Sequence, residues 1–213
     1  MGNVLAPIKF LGSTRDMVLQ KDDSKRIEDY LKLDHEIGGC LEFNCVTNKL
    51  EIKSTVSGEG SSIDLKVCKF EFHCHPNHCN PGNCHLGVPS NSDLKNIAER
   101  SNEGNCCHIV FAHEGMYVCS CNKARIKWSN SVFMENMHEL LNKLKQEQDR
   151  FYSSGHKIYP YSLFQKRWLE TLKHESSVFT VQFIKKRQLK NLSALELISV
   201  DEGCWDDCSA LRI

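Results

Sequence analysis

The chain has 213 residues, with 27 Lys and Arg set against 27 Asp and Glu, 12 cysteines and 10 histidines. That length suits one domain, or one domain with an appendage, and suffices to bury a core. The neutral balance excludes a uniformly basic nucleic-acid binder, and no stretch approaches the length of a spanning helix.

The opening Met1-Gly2-Asn3-Val4-Leu5-Ala6 lacks the basic and then apolar regions of a signal peptide. Gly2 could accept myristate, but Ala6 stands where that motif wants Ser or Thr. The expected setting is therefore a reducing cytoplasm or nucleus, in which the cysteines read as thiols, ligands or small core residues rather than disulfides. A helix is expected over 24–32. After it, Asp34-His35-Glu36-Ile37-Gly38-Gly39 opens a strand with a carboxylate, and the paired glycines suggest close approach by another segment. On its own, Glu36 reads better as the end of the acidic, helical stretch before it than as a catalytic carboxylate.

Strands are expected over 49–56 and 63–72, separated by the polar loop 58–62. The second continues into His73-Cys74-His75. Counting by twos puts Lys69, Glu71, His73 and His75 on one face and Cys68, Phe70, Phe72 and Cys74 on the other, the alternation of a half-buried strand with its histidines in a cleft. Two imidazoles on one strand face can hold one ion, although ordinary surface histidines show the same pattern. Thirteen residues, Asn77 to Pro89, follow Pro76. They carry His78, Cys79, Cys84 and His85, which suggest a second, structural zinc or a substrate-clamping loop, yet each Cys stands beside its His, an awkward arrangement for one tetrahedral site. Ser90-Asn91-Ser92-Asp93 then opens a helix over 92–101, with Ser90 placed as N-cap and Asp93 as the third residue of a capping box. That capping role needs no metal, and it is compatible with one.

Strands are expected over 108–112 and 115–119. Beyond them the charge is uneven: residues 123–190 carry 14 basic against 6 acidic side chains. Helical spacing appears over 132–144 and, more weakly, 161–174, and a strand-like alternation over 177–184. The basic segment reads either as the solvated faces of packing helices or as a surface for an acidic partner, and no nucleic-acid motif accompanies it. Cys204 and Cys208 offer two metal ligands or stand incidentally in a surface tail.

Taken in order, Glu36-x-x-Gly39, His73-x-His75-Pro76 and Ser90-x-x-Asp93 form a series. In this the chain resembles the JAMM (MPN+) zinc metalloprotease family over about residues 5–130, three spaced elements being far more specific than any one. It departs from the family in the loop before Ser90, which the family keeps to about six or seven residues. The resemblance implies an α/β fold, a mixed, mostly antiparallel sheet flanked by helices (MPN/cytidine-deaminase-like). A catalytic domain would span 1–130, with a basic helical extension over 131–213 packing on it. It also implies Zn2+ held by His73, His75 and Asp93, a zinc-bound water activated by Glu36, and Ser90 donating to the oxyanion. The implied reaction is hydrolysis of the isopeptide bond joining ubiquitin, or a ubiquitin-like protein, to a lysine. Two other readings are a silent MPN-like scaffold or binding module with a structural metal in the Cys/His loop, and a metallopeptidase or small-molecule amidase using the same site.

Overall fold

The computed structural model describes residues 18–44, 49–59, 63–76, 87–121, 138–146, 149–150, 161–175 and 179–185. In chain order these form β1 (Val18–Leu19), α1 (Lys21–Tyr30), β2 (Ile37–Asn44), β3 (Lys49–Ser57), β4 (Phe70–Cys74), α2 (Asn91–Asn102), β5 (Cys107–Ala112), β6 (Gly115–Cys121), α3 (residues 138–146), α4 (Tyr161–Glu175) and β7 (Phe179–Lys185). The strands make one sheet in the order β1-β3-β2-β4-β5-β6-β7. Four of its six pairings are antiparallel, and two, β1 with β3 and β4 with β5, are parallel. A mixed, mostly antiparallel α/β architecture is therefore observed.

Strand alternation sorts the core into two layers. On one face Leu41, Leu50, Phe70, Phe72, Ile109, Phe111, Met116 and Val118 pack with Ile27 and Tyr30 of α1. On the other, Val110, Ala112, Tyr117 and Cys119 pack beneath Leu94, Ile97 and Ala98 of α2, Leu140 and Leu144 of α3, and Phe164, Trp168 and Leu172 of α4. Residues beyond 130 thus share a hydrophobic cluster with α2, and they also add β7 to the same sheet, paired with β6. The Cys204 to Cys208 segment and the His78, Cys79, Cys84 and His85 cluster lie outside the described residues.

α2 follows from its sequence. Leu94, Ile97, Ala98 and Ser101 are its buried stripe, at helical spacing. Ser90 caps it: the Asp93 amide donates to Ser90 Oγ at 3.1 Å, and the Ser90 amide donates to Asp93 Oδ2 at 2.6 Å, a complete capping box. It stops at Gly104, whose φ of +109° suits a residue without a Cβ. Because β4 and β5 run parallel, the connection between them has to cross over, and α2 is that crossover. The crossover carries the N-terminus of α2 back to the carboxyl end of β4.

Three expectations need correction. β4 is not half-buried: all five of its residues are buried, the polar ones included, because a central strand is covered on both faces. Residues 63–69 are not strand. The ladders of β2 and β5 with β4 begin only at Phe70, opposite Leu41 and Cys107, so the chain before it lies outside those ladders. Finally, Cys40 and Cys68 are not thiols but a disulfide, and Cys106 is also disulfide-bonded. Cys40 lies on β2 and Cys68 just before its neighbour β4, and the 6.0 Å between their Cα atoms is within bridging range. The expectation of cysteines that form no disulfides therefore fails at Cys40, Cys68 and Cys106. Among the described residues no helix is long and apolar enough to cross a membrane.

Candidate metal centre

Four side chains from three separate segments meet where β4 ends. His73 is the fourth residue of β4. His75 lies just past the strand but stays on its ladder, its amide donating to the Phe111 carbonyl at 2.8 Å. Asp93 comes from the first turn of α2 and Glu36 from the residue before β2. The His73 and His75 Nε2 atoms are 2.8 Å apart. Asp93 Oδ1 is 3.5 Å from His73 Nε2, and its Oδ2 is 3.4 Å from His75 Nε2. Glu36 Oε1 stands 3.9 Å from His75 Nε2.

β2 can approach this closely because of its glycines. A Cβ on Gly38 would stand 2.7 Å from the Phe72 carbonyl oxygen of β4. One on Gly39 would overlap the Ser54 carbonyl of β3. Both positions demand glycine for space, which places Glu36 at the histidine end of β4.

Hydrogen bonds fix which way the imidazoles face. The Gly87 carbonyl can only accept, so His75 Nδ1, 3.1 Å away, donates to it. The Glu71 carboxylate likewise accepts from His108 Nδ1 at 3.1 Å, leaving Nε2 of a neutral His108 to accept from His73 Nδ1 at 2.6 Å. Both proton-bearing nitrogens are thereby committed away from the centre. With both imidazoles neutral, the two Nε2 lone pairs point at one another and at the Asp93 carboxylate, an arrangement that a cation between them would satisfy. A tetrahedral ion about 2.0–2.1 Å from each ligand would separate ligand atoms by roughly 3.4 Å. The two Asp93 distances match that edge, while the imidazole pair is closer. His73, His75 and Asp93 can hold a metal ion, with their three ligand atoms within 4.8 Å of one another. Two imidazoles and a carboxylate suit a divalent ion of borderline softness and leave a coordination position open.

Burial holds His73 neutral, lowering its pKa to about 4 against the pull of Asp93. Burial works the same way on His75, but hydrogen bonding and charge from Asp93, together with Glu36 and Gly87, outweigh it and raise the pKa. Asp93 is driven well below the usual carboxylate range because the two histidines outweigh its burial. Glu36 moves up, chiefly through burial, with the Asp93 charge adding and His75 opposing. A carboxylate with a raised pKa, facing the same histidine, is suited to taking and returning a proton.

Ser90 is the N-cap of α2. Its oxygen accepts from the Asp93 amide, so its hydroxyl hydrogen is left to donate elsewhere. The same reading of the sequence missed the residues behind the ligands. Glu71 and His108 stand behind His73, and Gly87 behind His75. Glu114 accepts from the Gly87 amide and from the Tyr117 hydroxyl, each at 2.8 Å, and Gln165 of α4 donates to that hydroxyl at 2.6 Å. Glu71 shared the period-two face with His73, the one signal that could have found it. Compared with known proteins, the chain matches no protein-family model and no characterised protein by sequence.

Proposed function

We propose that the chain is a zinc-dependent isopeptidase of the JAMM/MPN+ type, acting on the bond between ubiquitin or a ubiquitin-like protein and a lysine. The observation that carries this reading is convergence. Glu36, His73, His75 and Asp93 come from a pre-strand residue, a strand end and a helix start; the ligand atoms of His73, His75 and Asp93 lie within 4.8 Å of one another and the Glu36 carboxylate stands 3.9 Å from His75, in the order of the sequence series. A zinc ion held by His73, His75 and Asp93 would supply Lewis acidity and a water whose pKa is lowered to about 7. Glu36 would hold the proton taken from the attacking water and return it to the departing lysine amine, a role matched by its raised pKa and its place beside His75. Ser90 would use its free hydroxyl hydrogen on the developing oxyanion, a contribution on the order of 3 kcal/mol. Ubiquitin substrates place the action in the cytoplasm or nucleus, where the Cys40–Cys68 bridge would face reducing conditions.

The test combines metal analysis with cleavage of a ubiquitin dimer by the native chain and by Glu36→Gln. The native chain should carry one zinc at this site and cleave. Glu36→Gln should keep the zinc and lose about 10²–10⁴-fold in rate. A native chain that binds no zinc, or equal cleavage by the two forms, removes this reading. Zinc bound without cleavage by either form leaves a silent binding module, and activity on short peptides without ubiquitin points to a general metallopeptidase.

A further inference from the structure

We propose that Glu71 and His108 act as a positioning relay that sets the orientation of the metal ligand His73 and the placement of the helix bearing Asp93. This rests on the metal-centre reading above and concerns residues that the ligand series does not contain. Glu71, the second residue of β4, is fully buried, and His108 sits opposite it in the parallel register of β5. Central strands of a parallel pair are ordinarily apolar on both faces, so a buried carboxylate and imidazole side by side there need a reason.

A structural ion pair would be complete without His108. One oxygen of Glu71 takes the Arg100 guanidinium at 3.3 Å and the Cys68 amide at 3.1 Å. The second oxygen is given to His108 Nδ1. His108 in turn presents Nε2 to His73 Nδ1 at 2.6 Å. Metal-bound histidines as a rule donate their second ring N–H to an outer acceptor, which fixes the tautomer and strengthens the ligand nitrogen. Here that acceptor is an imidazole whose own orientation is fixed by a carboxylate one step further out.

The other arm explains Arg100. It lies seven residues after Asp93, two helical turns along the same side of α2. Glu71 therefore grips the far end of the helix whose first turn supplies Asp93, while reaching His73 through His108. One buried carboxylate references both ligand-bearing elements to each other.

The experiment measures Zn2+ affinity of the full chain by competition with a chromophoric chelator, alongside unfolding of the metal-free protein. His108→Phe, which fills the space without accepting a hydrogen bond, should weaken zinc binding by about 10–100-fold. His108→Gln, whose amide oxygen can accept from His73 Nδ1, should recover most of that loss. A folded His108→Phe that binds zinc within threefold of native overturns the relay, and so does a folded His108→Gln as weak as His108→Phe. Should His108→Phe not fold, Glu71→Gln decides: a severalfold weaker affinity is expected, and an unchanged one overturns the proposal. A native chain that binds no zinc overturns the metal reading and the relay together, whereas tight native binding with unaffected variants overturns the relay alone.

Discussion

Asp93 does two jobs that separate variants can pull apart. It closes the capping box of α2 and, in the proposed zinc site, would contribute the anionic ligand. In Asp93→Asn the amide oxygen still accepts from the Ser90 amide, so the metal-free protein loses only the charge-assisted part of that bond and the favourable charge at the helix start, together about 1 kcal/mol. Ser90→Ala costs a similar amount, about 1 kcal/mol, by removing the cap. For a chain of this length either change lowers Tm in chelator by roughly 2–4 °C. Zinc separates them. A structural zinc worth about 10–16 kcal/mol over four ligands gives roughly 3 kcal/mol per ligand, so Asp93→Asn should bind about 100-fold more weakly. At zinc one hundred times the native Kd, the native chain gains about 2.7 kcal/mol and Asp93→Asn about 0.4. Ser90→Ala should keep nearly the whole gain. Thermal unfolding of the three proteins with chelator and with zinc makes the comparison. Equal zinc-induced shifts in native and Asp93→Asn would refute the ligand assignment, and an erased shift in Ser90→Ala would refute the division of labour.

Acidification tests the buried imidazole. The folded pKa of His73 is about 4, below the unfolded value, so the stability tied to its neutral form is present above about pH 6.5 and lost as pH falls towards 4. In chelator the His73 part of that loss is about 1.5 kcal/mol between pH 6.5 and 5, and His75, whose pKa folding raises, works in the opposite direction and offsets a smaller part of it. Urea unfolding at the two pH values should show the loss, and the same slope in His73→Gln would contradict the assignment. Gly38→Ala places a methyl against the Phe72 carbonyl and the Ile63 and Leu65 side chains, and should cost about 1–3 kcal/mol in a urea titration; a neutral result would mean that β2 and β4 are not packed this closely. Replacing Cys40 and Cys68 together by serine opens a loop of 28 residues and should lower stability by about 3.5 kcal/mol, measured with and without reductant. No difference would mean that the bridge is absent in solution.

The ligand series and the caps were legible because they are local. Ser90 and Asp93 reach each other across three residues, and α2, α4, β5 and β6 carry their own periodicity. The helix expected from residue 24 begins earlier, at Lys21, and Ser24 sits inside it with its hydroxyl donating back to the Gln20 carbonyl, the alternative open to a serine within a helix. The polar face of β4 was read as a cleft because Glu71 and His73 alternate with Phe70 and Phe72. What the alternation could not show is that those polar groups satisfy one another inside the protein through His108 and Arg100, partners 37 and 29 residues away from Glu71. The Cys40–Cys68 pairing was hidden for the same reason, since it depends on β2 lying beside β4.

Topology then accounts for where the centre is. In an antiparallel pair a tight turn joins adjacent strands, and no helix start need approach the strand end. β4 and β5 are parallel, so α2 must begin at the carboxyl end of β4, and the first-turn carboxylate of Asp93 is delivered to the histidines by the crossover itself. The histidines it faces hold Asp93 ionised, and a helix start is a favourable place for that charge. Only Glu36 arrives by a different route, on an antiparallel neighbour, and it needs Gly38 and Gly39 to come near enough. The capping box, the crossover and the two glycines are therefore parts of the metal site in the same sense as its ligands, because each removes a degree of freedom that would let a donor atom drift.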